Sequence, residues 1–176
     1  MILKRIKIPE VKFIFPRDHN YETVEAVNGN NQWPWLAQLG IEEYCDRLTT
    51  LQAWMEPTSV LNIHKDLVPS GKPLAWSIVY VPRGQNGMFL SVFDAIDPTI
   101  NDVMIAVSKQ HNIPILKKEN ARLLERVELV PGEGVLFDPG SYYHSVENTS
   151  DQWRNAVSVR AELTETLDEL LPLLTK

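Results

Sequence analysis

Cysteine is almost absent: Cys45 stands alone among 176 residues, so no intrachain disulfide can brace the fold and no thiolate cluster can hold a metal. Any metal site must therefore be built from His, Asp and Glu. Long apolar runs are missing as well, and the stretch Leu74 to Val81 is far too short to span a bilayer. Between Met1 and Phe15 the apolar residues are interrupted by Lys4, Arg5, Lys7 and Lys12, which leaves no h-region for a signal peptide. A cytoplasmic protein without membrane association is the expectation. Basic charge is in deficit, with 17 Lys and Arg against 23 Asp and Glu and a net charge of -6. A chain of that sign is repelled by phosphate backbones, so nucleic acid is not an expected partner. Internal repeats and low-complexity tracts are absent too, and the prolines are dispersed as punctuation.

What is present is enough apolar material, 44% of the chain, for one compact domain over residues 1–176. Ile6, Ile8, Val11, Phe13 and Phe15 sit among polar residues in an extended opening segment broken by Pro9 and Pro16. From Pro34 to about Trp54, the spacing of Trp35, Leu36, Leu39, Tyr44, Leu48 and Leu51 predicts an amphipathic helix. After Pro57 the character changes. Val60 to Ile63, Leu74 to Val81 and Met88 to Phe93 are rich in Val, Ile and aromatics and bounded by Pro and Gly clusters, which predicts strands. Thr99 to Gln110 and Lys117 to Arg126 have helical spacing and predict an inserted helical segment near 98–126. Gly134 to Phe137, Tyr143 to Glu147 and Trp153 to Ala161 predict further strands, and Thr164 to Leu174 a C-terminal helix. Six to eight short strands with helices outside predict a mainly β jelly roll or barrel-like sandwich.

The chain has four histidines, His19, His64, His111 and His144. His19 and His111 fall in loop-like surroundings and are read as solvated. His64 ends a strand-like run and Asp66 follows two residues later, so in extended backbone both side chains point to one face. His144 begins a later strand. Two imidazoles and one carboxylate on one rigid β scaffold make the facial triad that suits non-haem Fe(II) with open coordination positions.

At these residues the sequence resembles the Fe(II)- and 2-oxoglutarate-dependent dioxygenase superfamily. His64-Lys65-Asp66 looks like its first two metal ligands, and Tyr143-His144-Ser145-Val146-Glu147-Asn148 like the strand bearing its distal histidine. The resemblance runs in order and rough spacing from Val60 to Arg160. It implies a double-stranded β-helix of the cupin-like kind, Fe(II) on His64, Asp66 and His144, and 2-oxoglutarate as co-substrate. It further implies that Arg154, ten residues after His144, binds the distal carboxylate of 2-oxoglutarate, with Ser158 as an auxiliary hydroxyl and Arg160 as the competing arginine. A guanidinium suits that role because its planar fork matches a carboxylate bidentately. The implied reaction is hydroxylation of a C–H bond in a small-molecule or peptidyl substrate, and Asp66 argues against the halogenating relatives, which lack the carboxylate.

Two other functions share the fold. One is a binding or interaction module without catalysis, because a jelly roll alone establishes no chemistry. The other is a cupin-like metal protein that does not use 2-oxoglutarate and so has no need of the arginine. Trp76, Tyr80, Phe89 and Phe93 are read as core or pocket wall, not as a platform for stacking bases.

Overall fold

The computed structural model describes residues 2–8, 27–28, 48–67, 74, 76–100, 102–108 and 111–161. Its strands are β1 (Lys4–Lys7), β2 (Val27–Asn28), β3 (Leu48–Met55), β4 (Trp76–Tyr80), β5 (Met88–Ala95), β6 (Val103–Ser108), β7 (His111–Ile115), β8 (Ala121–Leu129), β9 (Glu133–Phe137), β10 (Tyr143–Asn148) and β11 (Arg154–Ala161). One sheet has six strands in the order β1-β9-β4-β11-β3-β2. The second carries β10-β5-β8 and is widened by the extended segment 60–64, which bridges β10 at Val60↔Glu147 and His64↔His144. All these pairings are antiparallel. The chain passes from β3 to segment 60–64, to β4, to β5 and β8, then to β9, β10 and β11, so it winds between the two sheets. This is a double-stranded β-helix.

The reason for that winding lies in alternation. Val79, Val81, Val135, Phe137, Ala156 and Met55 from the larger sheet meet Met88, Leu90, Val92, Leu129 and Val146 from the smaller one in a single buried cluster. Side chains of opposite parity on the central strand β4, Trp76, Ile78 and Tyr80, are buried on the sheet's other face. A strand covered on both sides reads as continuous apolar sequence, as Trp76–Tyr80 does apart from Ser77.

Several sequence expectations are corrected. The inserted segment is not helical: it forms the antiparallel ribbon β6–β7, a 3-10 turn at Lys118–Asn120, and strand β8. β8 mimics a helix because its alternation is broken. Val92 pairs with Glu125 and Phe93 with Leu123, so Leu124 is an extra residue at a bulge, and a bulge shifts every apolar residue beyond it to the other parity. The helix expected up to Trp54 also gives way over residues 48–54 to β3, which pairs with β11 and β2. The remainder of that expectation, 34–47, lies outside the described residues, as do His19 and the C-terminal helix expected over 164–174. Among the described residues the helical layer reduces to the 3-10 turn, and no helix there is long and apolar enough to cross a membrane.

Gly134 marks the tightest packing between β9 and β4. A Cβ at that position would lie 2.8 Å from Ile78 Cγ2 and 3.3 Å from Ile6 Cγ1, inside a fully buried layer that cannot easily give way. Gly134→Ala is therefore expected to destabilise the fold by about 1–3 kcal/mol. Urea unfolding of the two proteins measures it, and an unchanged midpoint would show that this layer has slack.

Candidate metal centre

The triad is assembled by backbone pairing before any side chain takes part. His64 and His144 exchange two backbone hydrogen bonds, His64 N to His144 O at 3.0 Å and His144 N to His64 O at 2.8 Å. Directly paired residues project to the same side of a sheet, and the two rings lie 4.4 Å apart, centroid to centroid. The turn before β10 performs two tasks. Asp138 Oδ1 accepts the Gly140 and Ser141 amides, closing the turn that delivers His144. The Pro139 carbonyl of the same turn accepts the Asp66 amide at 2.8 Å, which places the carboxylate beside the two rings. Phe137 packs edge-on against His144, 5.0 Å between centroids.

Within this frame Asp66 Oδ1 lies 3.5 Å from His64 Nε2, and Oδ2 lies 3.7 Å from His144 Nε2. One ligand atom from each residue falls within 4.8 Å of the others, and among the described residues this is the group of His, Cys, Asp and Glu able to hold a metal ion. His64 Nδ1 lies 2.7 Å from the Asn62 carbonyl. A carbonyl can only accept, so the proton sits on Nδ1 and the Nε2 lone pair is directed at the shared centre. His144 Nδ1 faces the Tyr142 carbonyl at 3.5 Å in the same sense. Such backbone partners on the non-ligating nitrogen are what fix the tautomer of a metal-binding histidine. The donor set, two imidazoles and a carboxylate, fits a single divalent ion.

Electrostatics support the same arrangement. Burial pushes the Asp66 carboxyl up, but the Arg160 guanidinium beside it outweighs burial and holds the carboxyl far below the usual carboxylate range. Arg160 Nη1 contacts Asp66 Oδ2 at 3.0 Å. Burial, then repulsion from His64 and Arg160, draws His144 down to about 3 despite the pull of Asp66. Asp66 is thus an anion and His144 a neutral base, the states in which both can ligate.

The sequence-derived residues are not all gathered here. His64, Asp66 and His144 converge, whereas Arg154 lies at the far end of β11. Its Nε donates to the Asn86 carbonyl at 3.0 Å, and its terminal nitrogens contact Asn86 Oδ1 and Gln152 Oε1, each at 3.1 Å. Arg154, Ser158 and Arg160 share one parity, but six residues of strand put Arg154 roughly 20 Å from Arg160. Arg160 is the arginine at the triad. Ser158 sits between them with its hydroxyl bonded to Ser77 Oγ at 2.6 Å, a partner that nothing in the sequence signalled.

No family model and no curated protein matches the sequence. Among solved structures it is similar to a prolyl-4-hydroxylase from Pseudomonas putida, at 16% identity and a TM-score of 0.45, over 81% of this chain and 74% of that one. It is also similar to a cupin 2 domain-containing protein from Halorhodospira halophila, at 12% identity and a TM-score of 0.37, over 99% and 91% of the two chains. A cysteine peptidase from Thevetia peruviana latex, Peruvianin-I, matches at 15% identity and a TM-score of 0.41, over 83% and 68%. The fold assignment rests on the strand order and the site on its own geometry.

The buried neutral imidazole has a consequence for stability. His144 has an ordinary value of 6.5 and a folded value of about 3, so between those limits the unfolded chain binds more protons than the folded one. Its contribution is complete above pH 6.5 and is lost as pH falls toward 3. The metal-free protein should lose about a few kcal/mol across that window. His144→Gln should flatten most of the slope. Urea midpoints between pH 7 and pH 4 measure both, and an equal slope in the two proteins would show that His144 is not the titrating group.

Proposed function

We propose that this chain is an Fe(II)- and 2-oxoglutarate-dependent oxygenase that hydroxylates a C–H bond. The observation that carries the reading is the convergence of two imidazole Nε2 atoms and one ionised carboxylate at a buried centre flanked by an arginine. Bound there, Fe(II) would supply the activation of dioxygen, with 2-oxoglutarate giving up its electrons as it becomes succinate and carbon dioxide. His64, Asp66 and His144 would hold the metal, a donor set that suits non-haem Fe(II). Asp66 is fixed by Pro139 and kept anionic by Arg160.

The distal carboxylate of 2-oxoglutarate needs a cation close to the triad. Arg160 is there, and its Nε is buried without a hydrogen-bond partner among the described residues. An orphaned buried N–H is costly, and a carboxylate would satisfy it. This proposal therefore gives the anchoring role to Arg160, with Arg154 as the rival that would have to leave Asn86 and Gln152 to take it.

The test is anaerobic addition of Fe(II) and 2-oxoglutarate, followed by the visible metal-to-ligand charge-transfer band, and then succinate formation under air. Wild type and Lys65→Ala should give both signals, and Asp66→Ala neither. Arg160→Lys keeps a cation for Asp66 but loses the fork, so Fe(II) binding should survive while 2-oxoglutarate affinity falls on the order of a hundredfold. Arg154→Ala should leave both near wild type. Weakened 2-oxoglutarate binding in Arg154→Ala alone would return the anchor to Arg154. Fe(II) binding with no response to 2-oxoglutarate would instead favour the cupin-like metal protein, and no metal binding at all the non-catalytic module.

A further inference from the structure

The sheet that carries both histidines does not end at His64. Segment 60–64 is bordered on its other side by β7: Leu116 N donates to the Ile63 carbonyl at 2.8 Å and Lys65 N to the Pro114 carbonyl at 3.2 Å. These bonds set His64 opposite Ile115, and β7 in turn sets Ile115 opposite Val103 and Ile113 opposite Ile105. One cross-strand row therefore reads His144, His64, Ile115, Val103. Side chains in such a row share a face, so the face that presents the metal ligands continues over the β6–β7 ribbon as Ile115, Val103, Ile113 and Ile105.

The two faces of this sheet differ beside the triad. On the back, Lys65 Nζ lies 4.4 Å over the Tyr143 ring and the Tyr143 hydroxyl donates to Asp102. On the front, the shelf beyond His64 is aliphatic. It is also open, since Val103 is 46% and Ile105 39% exposed. The ribbon's roots are locked: Asn120 is buried, its Oδ1 accepts the Asp97 amide at 2.8 Å and its Nδ2 donates to the Asp97 carbonyl at 3.0 Å.

We propose that the front face of the β6–β7 ribbon seats an aliphatic chain of the substrate, so that the carbon to be oxidised lies at the triad while the chain runs along Ile115 and Val103. This rests on the oxygenase reading for the identity of the site. Two strand spacings separate His64 from Val103, about 10 Å, which calls for a chain of medium length. The shelf's continuity with the ligand row commits the occupant to the substrate, with a second copy of this chain as the competing occupant.

The test uses neutral probes, 1-hexanol, 1-octanol and 1-decanol, titrated into the full chain with and without Fe(II). Affinity should rise by roughly fourfold per methylene up to the length of the shelf. Val103→Glu and Ile105→Glu should each weaken 1-octanol binding at least tenfold, because a charge replaces aliphatic contact. Val103→Thr keeps the branched shape and should weaken it severalfold. Met104→Glu, 54% exposed and on the opposite face, should leave it unchanged. Equal losses at 103 and 104, or no dependence on chain length, would overturn the proposal. So would a wild-type dimer by sedimentation that Val103→Glu converts to monomer, since a second copy would then cover the shelf. Failure of the charge-transfer band with face-specific alcohol binding intact would remove the oxygenase reading and leave the aliphatic site standing.

Discussion

A single buried carboxylate organises this molecule. Asp66 is taken out of water, which by itself favours its neutral acid, and the guanidinium of Arg160, brought in on β11, restores its ionisation. Arg160 arrives on the larger sheet, while His144 and His64 arrive on the smaller. The Asp66–Arg160 contact is thus a cross-link between sheets at one end of the β-helix. Losing either partner would strand the other as an uncompensated buried charge, a far larger penalty than the pair's own net contribution. The main chain is correspondingly fixed on both sides of the carboxylate. Pro139 accepts the Asp66 amide, and the Asp66 carbonyl accepts Leu74 N at 3.1 Å.

How far this was legible in the sequence depends on whether the signal was local. His64 and Asp66 announce themselves because an alternating backbone puts residues two apart on one face, and His144 because the turn at Asp138-Pro139-Gly140 precedes a strand. The arginine was harder for a physical reason. Arg154, Ser158 and Arg160 have the same parity, so alternation cannot separate them, and what decides is which end of β11 returns to the triad. That depends on the turn from Asn148 to Trp153. There Asn148, fully buried, donates from Nδ2 to the carbonyls of Glu56 and Gln152, both at 2.8 Å, and accepts Ser150 N at 3.0 Å. This clamp fixes where β11 starts, at the end of the β-helix away from His144. Six further residues of strand are needed before a side chain comes level with the metal centre.

The misread insertion has a related cause. Periodicity reports which face is buried, and it fails where neither face is or where a bulge resets the count. In β6 three successive residues, Val103, Met104 and Ile105, are all exposed, so no alternation survives for the sequence to display. In β8 the extra residue Leu124 converts a period of two into a spacing that resembles a helical turn. Pro114 lies within β7. It is accommodated because it contributes its carbonyl, not an amide, to the pairing with Lys65.

Register then links chemistry to recognition. A slip of one residue between segment 60–64 and β10 would turn His64 to the back of the sheet, and with it the alignment that continues His64 into Ile115 and Val103. The same hydrogen bonds that bring the two imidazoles together therefore decide which face of the ribbon stands beside the metal centre. Charged and aromatic partners sit on the back, where Lys65, Tyr143 and Asp102 satisfy one another. That leaves the front of the ribbon, at Ile115, Val103, Ile113 and Ile105, aliphatic. A site that must exclude water and a surface that must bury aliphatic carbon are served by one pairing pattern, because in a sheet the face a residue takes is set by its register and by nothing else about it.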